Sequence, residues 1–159
     1  MRTFTRFIPR RLAGLLLVGL LILLGGCSGY RPPSYTPAEY PSSYLAYDLA
    51  LYWKTVPQAG SLTIAGFVRN GWPAAKLDME LTATLLTADR RELGQGTFLF
   101  FPHRIDIDET VPFEITIPLK AGDAPARLRY LYRYRTGDHD EPASTFYQQV
   151  ELPLSSSGR

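Results

Sequence analysis

From residue 44 onward, apolar and polar residues alternate one for one, and this period of two constrains the chain more than any other feature. In a strand, successive side chains point to opposite faces, so such a row belongs to a sheet with one covered side. Leu45, Tyr47, Leu49, Leu51 and Trp53 make the first row, against Ala46, Asp48, Ala50 and Tyr52. Leu62, Ile64, Gly66 and Val68 make the second, ended by Asn70-Gly71, a pair that favours a tight hairpin turn. Leu77, Met79, Leu81, Ala83 and Leu85 form the third, facing away from Asp78, Glu80, Thr82 and Thr84. After a turn at Asp89-Arg90-Arg91 comes a fourth strand around Gly96 to Phe101.

The later rows are Val111 to Leu119, Leu128 to Tyr134 and Phe146 to Leu152, parted by Gly122-Asp123-Ala124-Pro125 and by the loop Gly137 to Pro142. About seven strands with regular turns and no helical periodicity predict an all-β fold of two antiparallel sheets, an immunoglobulin-like (fibronectin III-like) β-sandwich. A small barrel is the alternative. Pro112 and Pro118 suit edge or end positions, because proline cannot donate to a closed ladder.

The first 26 residues obey different rules. Arg2, Arg6, Arg10 and Arg11 precede the apolar run Leu12 to Leu24, which is 13 residues long. Basic then apolar is the layout of an export signal, and spanning a bilayer takes roughly 20 apolar residues. The run ends in Leu24-Gly25-Gly26-Cys27, which resembles the lipobox of bacterial lipoproteins. The resemblance implies cleavage after Gly26 and a diacylglyceryl group on the Cys27 sulfur, followed by acylation of the new amine. Cys27 is the only cysteine of the chain, so no disulfide is available to the domain. Ser28, rather than Asp, after the lipidated residue implies outer-membrane sorting in a host with two membranes, with the domain facing the periplasm.

Removing the signal takes four of the 17 basic residues and leaves 13 against 15 acids, so the formal charge moves from +2 to −2. That balance and an exported location argue against nucleic-acid binding. Residues 27–43 carry Pro32, Pro33, Pro37 and Pro41, and read as a semi-stiff tether before the domain at 44–154 and a polar tail at 155–159. Tyr30, Tyr35, Tyr40, Tyr44 and Tyr47 recur along the tether and just beyond it, and suit packing on the domain or a place among lipid headgroups rather than a contact surface.

A second resemblance concerns the sandwich. Ile64-Ala65-Gly66-Phe67-Val68-Arg69-Asn70 is similar to the G-x-V-x-N strand of FxLYD-type domains and of late-embryogenesis-type-2-like sandwiches. Asp108 to Ile117 is similar to their acid loop and following P-F-x-[VI]-x-[IL] strand, although Ile107-Asp108 stands where those domains have Pro-Gly. What this implies is an extracytoplasmic, often membrane-tethered module with a fibronectin-like fold and no general catalytic activity.

Candidate chemistry is sparse. Nucleophilic catalysis needs a nucleophile, a base and an orienting group, and the only histidines are His103 and His139. An enzyme is not expected, and no cofactor is indicated. Asp138, His139, Asp140 and Glu141 are weak metal-ligand candidates, as is the acidic run Asp106 to Glu109. Both lack calcium-loop spacing, and acids favour turns for local hydrogen-bonding reasons.

Arg127, Arg129, Arg133 and Arg135 project from one strand face. They offer either an anion-binding patch or a solvated face paired to neighbouring acids. Tyr130, Tyr132 and Tyr134 on the opposite face fill the core with hydroxyls toward the rim. Trp72, and the segment Phe98, Leu99, Phe100 and Phe101, are candidate partner contacts, the segment being apolar on both faces as a covered central strand would be. The leading expectation is therefore a membrane-anchored, non-enzymatic interaction or scaffold module with an envelope protein as partner. The alternative is a sandwich that binds a small glycan or lipid, which requires a concave aromatic pocket.

Overall fold

The computed structural model describes residues 35–137 and 144–154. Among the described residues nine strands form two antiparallel sheets: β1 (Ser42–Leu45), β2 (Leu49–Gln58), β3 (Ser61–Asn70), β4 (Lys76–Leu86), β5 (Glu92–Leu99), β6 (Arg104–Ile105), β7 (Thr110–Pro118), β8 (Arg127–Thr136) and β9 (Ser144–Pro153). One sheet has the order β1-β2-β3-β7 and the other β5-β4-β8-β9, with β6 beside β4. The chain changes sheets between β3 and β4, between β6 and β7, and between β7 and β8, as Greek-key sandwiches do. Inward residues of both sheets meet in one core that includes Leu51, Trp53, Ile64, Leu81, Phe113, Ile115 and Tyr130.

Three expectations need correction. The first apolar row does not run through from Leu45 to Trp53. Ala46 N–H donates to the Leu49 carbonyl (2.9 Å), closing a turn that parts β1 from β2 and leaves Tyr47 84% exposed.

Asn70-Gly71 makes no hairpin. It is the crossover to the other sheet, and Asn70 is fully buried there. The Asn70 side-chain amide donates to the carbonyls of Ala74 (3.0 Å), Ile105 (3.1 Å) and Asp106 (3.1 Å), while its side-chain oxygen accepts from Trp72 N–H (3.1 Å). One side chain thus satisfies the backbone of two loops, and that requirement outweighs the pair's hairpin preference.

The third correction concerns β5, which is an edge strand and not a covered central one. Phe100 is buried and Phe98 packs against the core, whereas Leu99 and Phe101 point to solvent.

Pro112 and Pro118 do lie on an edge strand, β7, with both rings outward. On the other side of that sheet's β2–β3 pair, packing begins within the stretch read as tether. Tyr35 and Tyr40 lie over Phe67, at ring distances of 5.2 and 5.0 Å, and Tyr52 stacks on the same ring at 4.8 Å. Gly66 of the G-x-V-x-N strand is required by close approach, since a Cβ there would stand 2.1 Å from the Tyr52 carbonyl oxygen and 2.9 Å from the Phe113 ring.

The two long sides of the sandwich differ. Along β5 and β7 the sheets touch, because Gly94 and Gly96 present no side chain to Ile117 and Ile115. Along β1 and β9 they stay apart, and a cleft lies between them.

Candidate functional site: an aromatic cleft over a buried lysine

The cleft encloses about 500 Å³. Tyr44 comes from β1, Ala46 to Asp48 from the turn after it, Trp72 from the crossover, Tyr132 and Tyr134 from β8, and Phe146 to Gln148 from β9. It exists because β9 pairs with β8 over its whole length, from Thr136 opposite Ser144 to Arg127 opposite Pro153. The short β1 pairs only Ser42 to Leu45 and does not extend the facing sheet over β9. The inward side chains Phe146 and Gln148 therefore face open space rather than a sheet. Tyr132, Tyr134 and Phe146 form a ladder of near-parallel rings, 6.3 and 5.4 Å apart, and Tyr47 meets Trp72 edge-on at 4.5 Å.

The foot of the cleft is ionic. Tyr134 O–H donates to Asp48 Oδ2 (2.6 Å) and Tyr132 O–H to Asp48 Oδ1 (3.2 Å). Lys76 Nζ stands 4.0 Å from Asp48 Oδ2 and 4.0 Å from the centre of the Tyr134 ring. Its side chain is fully buried and its ammonium makes no hydrogen bond. Burial lowers the Lys76 pKa from 10.5 to about 8, with the Asp48 charge opposing the shift. Burial also raises both tyrosine hydroxyls well above their usual range, and the neighbouring carboxylate adds to this.

Lys76 reaches this place through a bulge. Strict alternation from Leu81 back through Met79 puts Leu77 inside. At Asp78, whose φ is +49°, the pairing of β4 with β8 slips, so that Leu77 stands opposite the outward Arg135. The phase inverts, and Lys76 turns inward opposite the buried Ile105. Neither Asp48 nor Lys76 was singled out by sequence reasoning. By pattern Asp48 is an outward residue in the middle of the first row, and Lys76 is the polar residue just before the third.

The residues expected from sequence do not gather in one place. Trp72 lines the cleft. Phe98 borders a second hollow of about 330 Å³ with Tyr35, Tyr40, Pro112 and Phe113, Phe100 is in the core, and Phe101 projects beside His103 with ring centres 5.5 Å apart. The arginine row is paired throughout. Arg127 and Arg129 lie 2.5 and 3.6 Å from Glu151, Arg133 forks onto Glu80, and Arg135 binds Asp78. Cys27, Gly26 and the Asp138-His139-Asp140-Glu141 loop lie outside the described residues. Among the described residues no three His, Cys, Asp or Glu side chains are grouped so as to hold a metal.

Comparison with known protein families and with characterised proteins finds no match. Among solved structures, the chain is similar to the solution structure of a protein from Arabidopsis thaliana, with a TM-score of 0.39 and 12% identity over 80% of this chain and 87% of that one.

Proposed function

We propose that the chain is an exported lipoprotein, anchored through Cys27, whose sandwich binds a small ligand in the aromatic cleft. The supporting observation is the cleft itself: concave, walled by tyrosine, tryptophan and phenylalanine, with a carboxylate at its foot. Apolar walls with a few convergent polar groups are the usual make-up of a small-molecule site. Asp48 accepts hydrogen bonds, so the matching ligand has an apolar body or sugar face and a hydroxyl or ammonium donor. Glycans and lipids both fit that description. Binding needs no catalytic step, and we read the domain as non-enzymatic. Reading it instead as a protein-binding scaffold draws less from the geometry, because each arginine of the β8 row already faces a carboxylate.

Native mass spectrometry of the full-length protein released from its own membranes tests this reading. Wild type is expected to carry an additional small mass that Phe146→Arg loses while keeping the wild-type circular dichroism spectrum. Identical empty spectra for both proteins, with no response to added lysophospholipid or glycan fragments, would sink it.

A further inference from the structure

Exposed apolar side chains are not spread evenly over the sandwich. Among the described residues Leu131 lies alone on the outer face of β8, and Phe146 and Tyr147 lie in β9 at the cleft. Five further large apolar residues, Leu45, Tyr47, Leu99, Phe101 and Ile107, are exposed together, with Phe101 at 81%. All five stand at one end. The contacts of Asn70 join the β1–β2 turn, the β3–β4 crossover and the segment before β7: Leu49 pairs with Asn70, the Asn70 amide holds Ile105 and Asp106, and Asp108 N–H donates to the Asn70 carbonyl (2.8 Å). Phe100 N–H donates to the Met79 carbonyl (3.1 Å) and Asp78 N–H to that of His103 (2.8 Å), which ties Leu99 to His103 to the same end of β4. At the opposite end the turns carry Thr87, Asp89, Arg90, Lys120 and Asp123, and Val56 is its only exposed large apolar residue among those described.

Most charges beside this apolar end are matched, and the Glu109 carboxylate, without a cation among the described residues, accepts from Asp106 N–H. Arg69 pairs with Asp108 at 2.8 Å, Arg104 with Asp106 at 2.8 Å, and Arg135 and His103 both flank Asp78. Paired charges cost less to bring against a low-dielectric surface than isolated ones. Tyr47 and Trp72, edge to face beside the ridge, are the residue types that favour the boundary between water and lipid.

The route of the chain fits the same surface. Tyr35 lies on Phe67, three residues from Asn70, which is roughly 10 Å along a strand. Cys27 stands eight residues before Tyr35, and eight residues reach at most about 29 Å. A lipid at Cys27 would hold the domain within that radius. So short a link gives a second contact an effective concentration on the order of millimolar, enough to populate one that is weak by itself.

We propose that this end of the sandwich is a membrane-contacting surface, with Leu45, Phe101 and Ile107 seated in the headgroup region of the bilayer that holds Cys27. The proposal rests on the anchored reading of Cys27. It adds an orientation, in which Tyr47 belongs both to the contact surface and to the wall of the cleft.

The test uses the full-length chain in vesicles of phosphatidylethanolamine and phosphatidylglycerol, with Phe101→Cys, Ile107→Cys or, as control, Leu131→Cys carrying an NBD fluorophore. Leu131 is exposed on the outer face of β8, away from this end. Labels at 101 and 107 are expected to brighten several-fold on vesicle addition and to be quenched by doxyl lipids, while the label at 131 stays unchanged. Labels at 101 and 107 as water-exposed as that at 131 overturn the proposal. So does shielding that occurs only in native membranes and not in pure lipid, which would mean a protein partner. Mass analysis of Cys27 separates the two readings: shielded labels on an unacylated chain leave this surface standing and remove the anchor.

Discussion

The two long sides of the sandwich are made from the same kind of strand, yet one is shut and the other holds a cleft. On the shut side β5 offers Gly94 and Gly96, and the methyl groups of Ile117 and Ile115 fill the space a side chain would take. On the open side the short β1 stops before it covers β9, so Tyr132, Tyr134, Phe146 and Tyr44 line a gap instead of meeting a sheet. A sandwich therefore gains a site without any change of topology, through the length of one edge strand. The closed side gives stability and the open side gives surface, so substitutions should divide between them.

The largest effect is expected on the closed side. A Cβ at Gly96 would stand 2.6 Å from Ile115 Cγ2, so Gly96→Val must push the two edges apart. Overpacking of this kind costs about 3 kcal/mol. Urea unfolding measures it, and a loss under about 1 kcal/mol would mean that the closed edge is no tighter than the open one.

A smaller effect, visible as a pH dependence, belongs to the open side. Folded Lys76 gives up its proton near pH 8, whereas in the unfolded chain it keeps it to 10.5. Between those values the unfolded state holds more protons, so stability rises with pH. Tyr132 and Tyr134 act in the opposite sense. Their folded pKa values are raised, the unfolded chain releases those protons from about pH 10.0, and stability falls above that point. Urea midpoints across this range should climb from pH 8 and turn over above 10. Lys76→Met should flatten the climb and leave the fall; an unchanged climb would place its origin elsewhere.

The smallest change in stability is expected for Phe146→Ala. The ring is half exposed, with an inward direction but no sheet opposite, so its removal should cost under about 1 kcal/mol. If it proves as costly as Gly96→Val, the cleft is part of the core rather than a site.

Much of this architecture was legible in the sequence, because alternation is a local property. The inward rows of β3, β7 and β8 fall where the pattern puts them, and the prolines of β7 mark an edge. The foot of the cleft was not legible. Asp48 sits in a turn that the pattern runs straight through, and Lys76 lies beyond a bulge that inverts the pattern. The bonds of Asp48 to Tyr132 and Tyr134 join residues 84 and 86 positions apart. Trp72 was picked out because an aromatic beside a tight turn is conspicuous by itself. The arginines of β8 were visible too, but their acids became identifiable only with the register, which sets Glu80 beside Arg133 and Glu151 beside Arg129.

The bulge at Asp78 also bears on how such a site is inherited. Between the Leu77–Arg135 and Glu80–Arg133 pairs β4 has two residues and β8 has one, so the bulge is a single extra residue. Loss of Asp78 would restore regular pairing with Leu77 still outward, next to the inward Met79, and with Lys76 still facing in. The foot of the cleft would keep Asp48 and Lys76, and only the carboxylate that Arg135 and His103 share would go. A chain shorter by this one residue could thus keep the same cleft while losing an acid from its outer face.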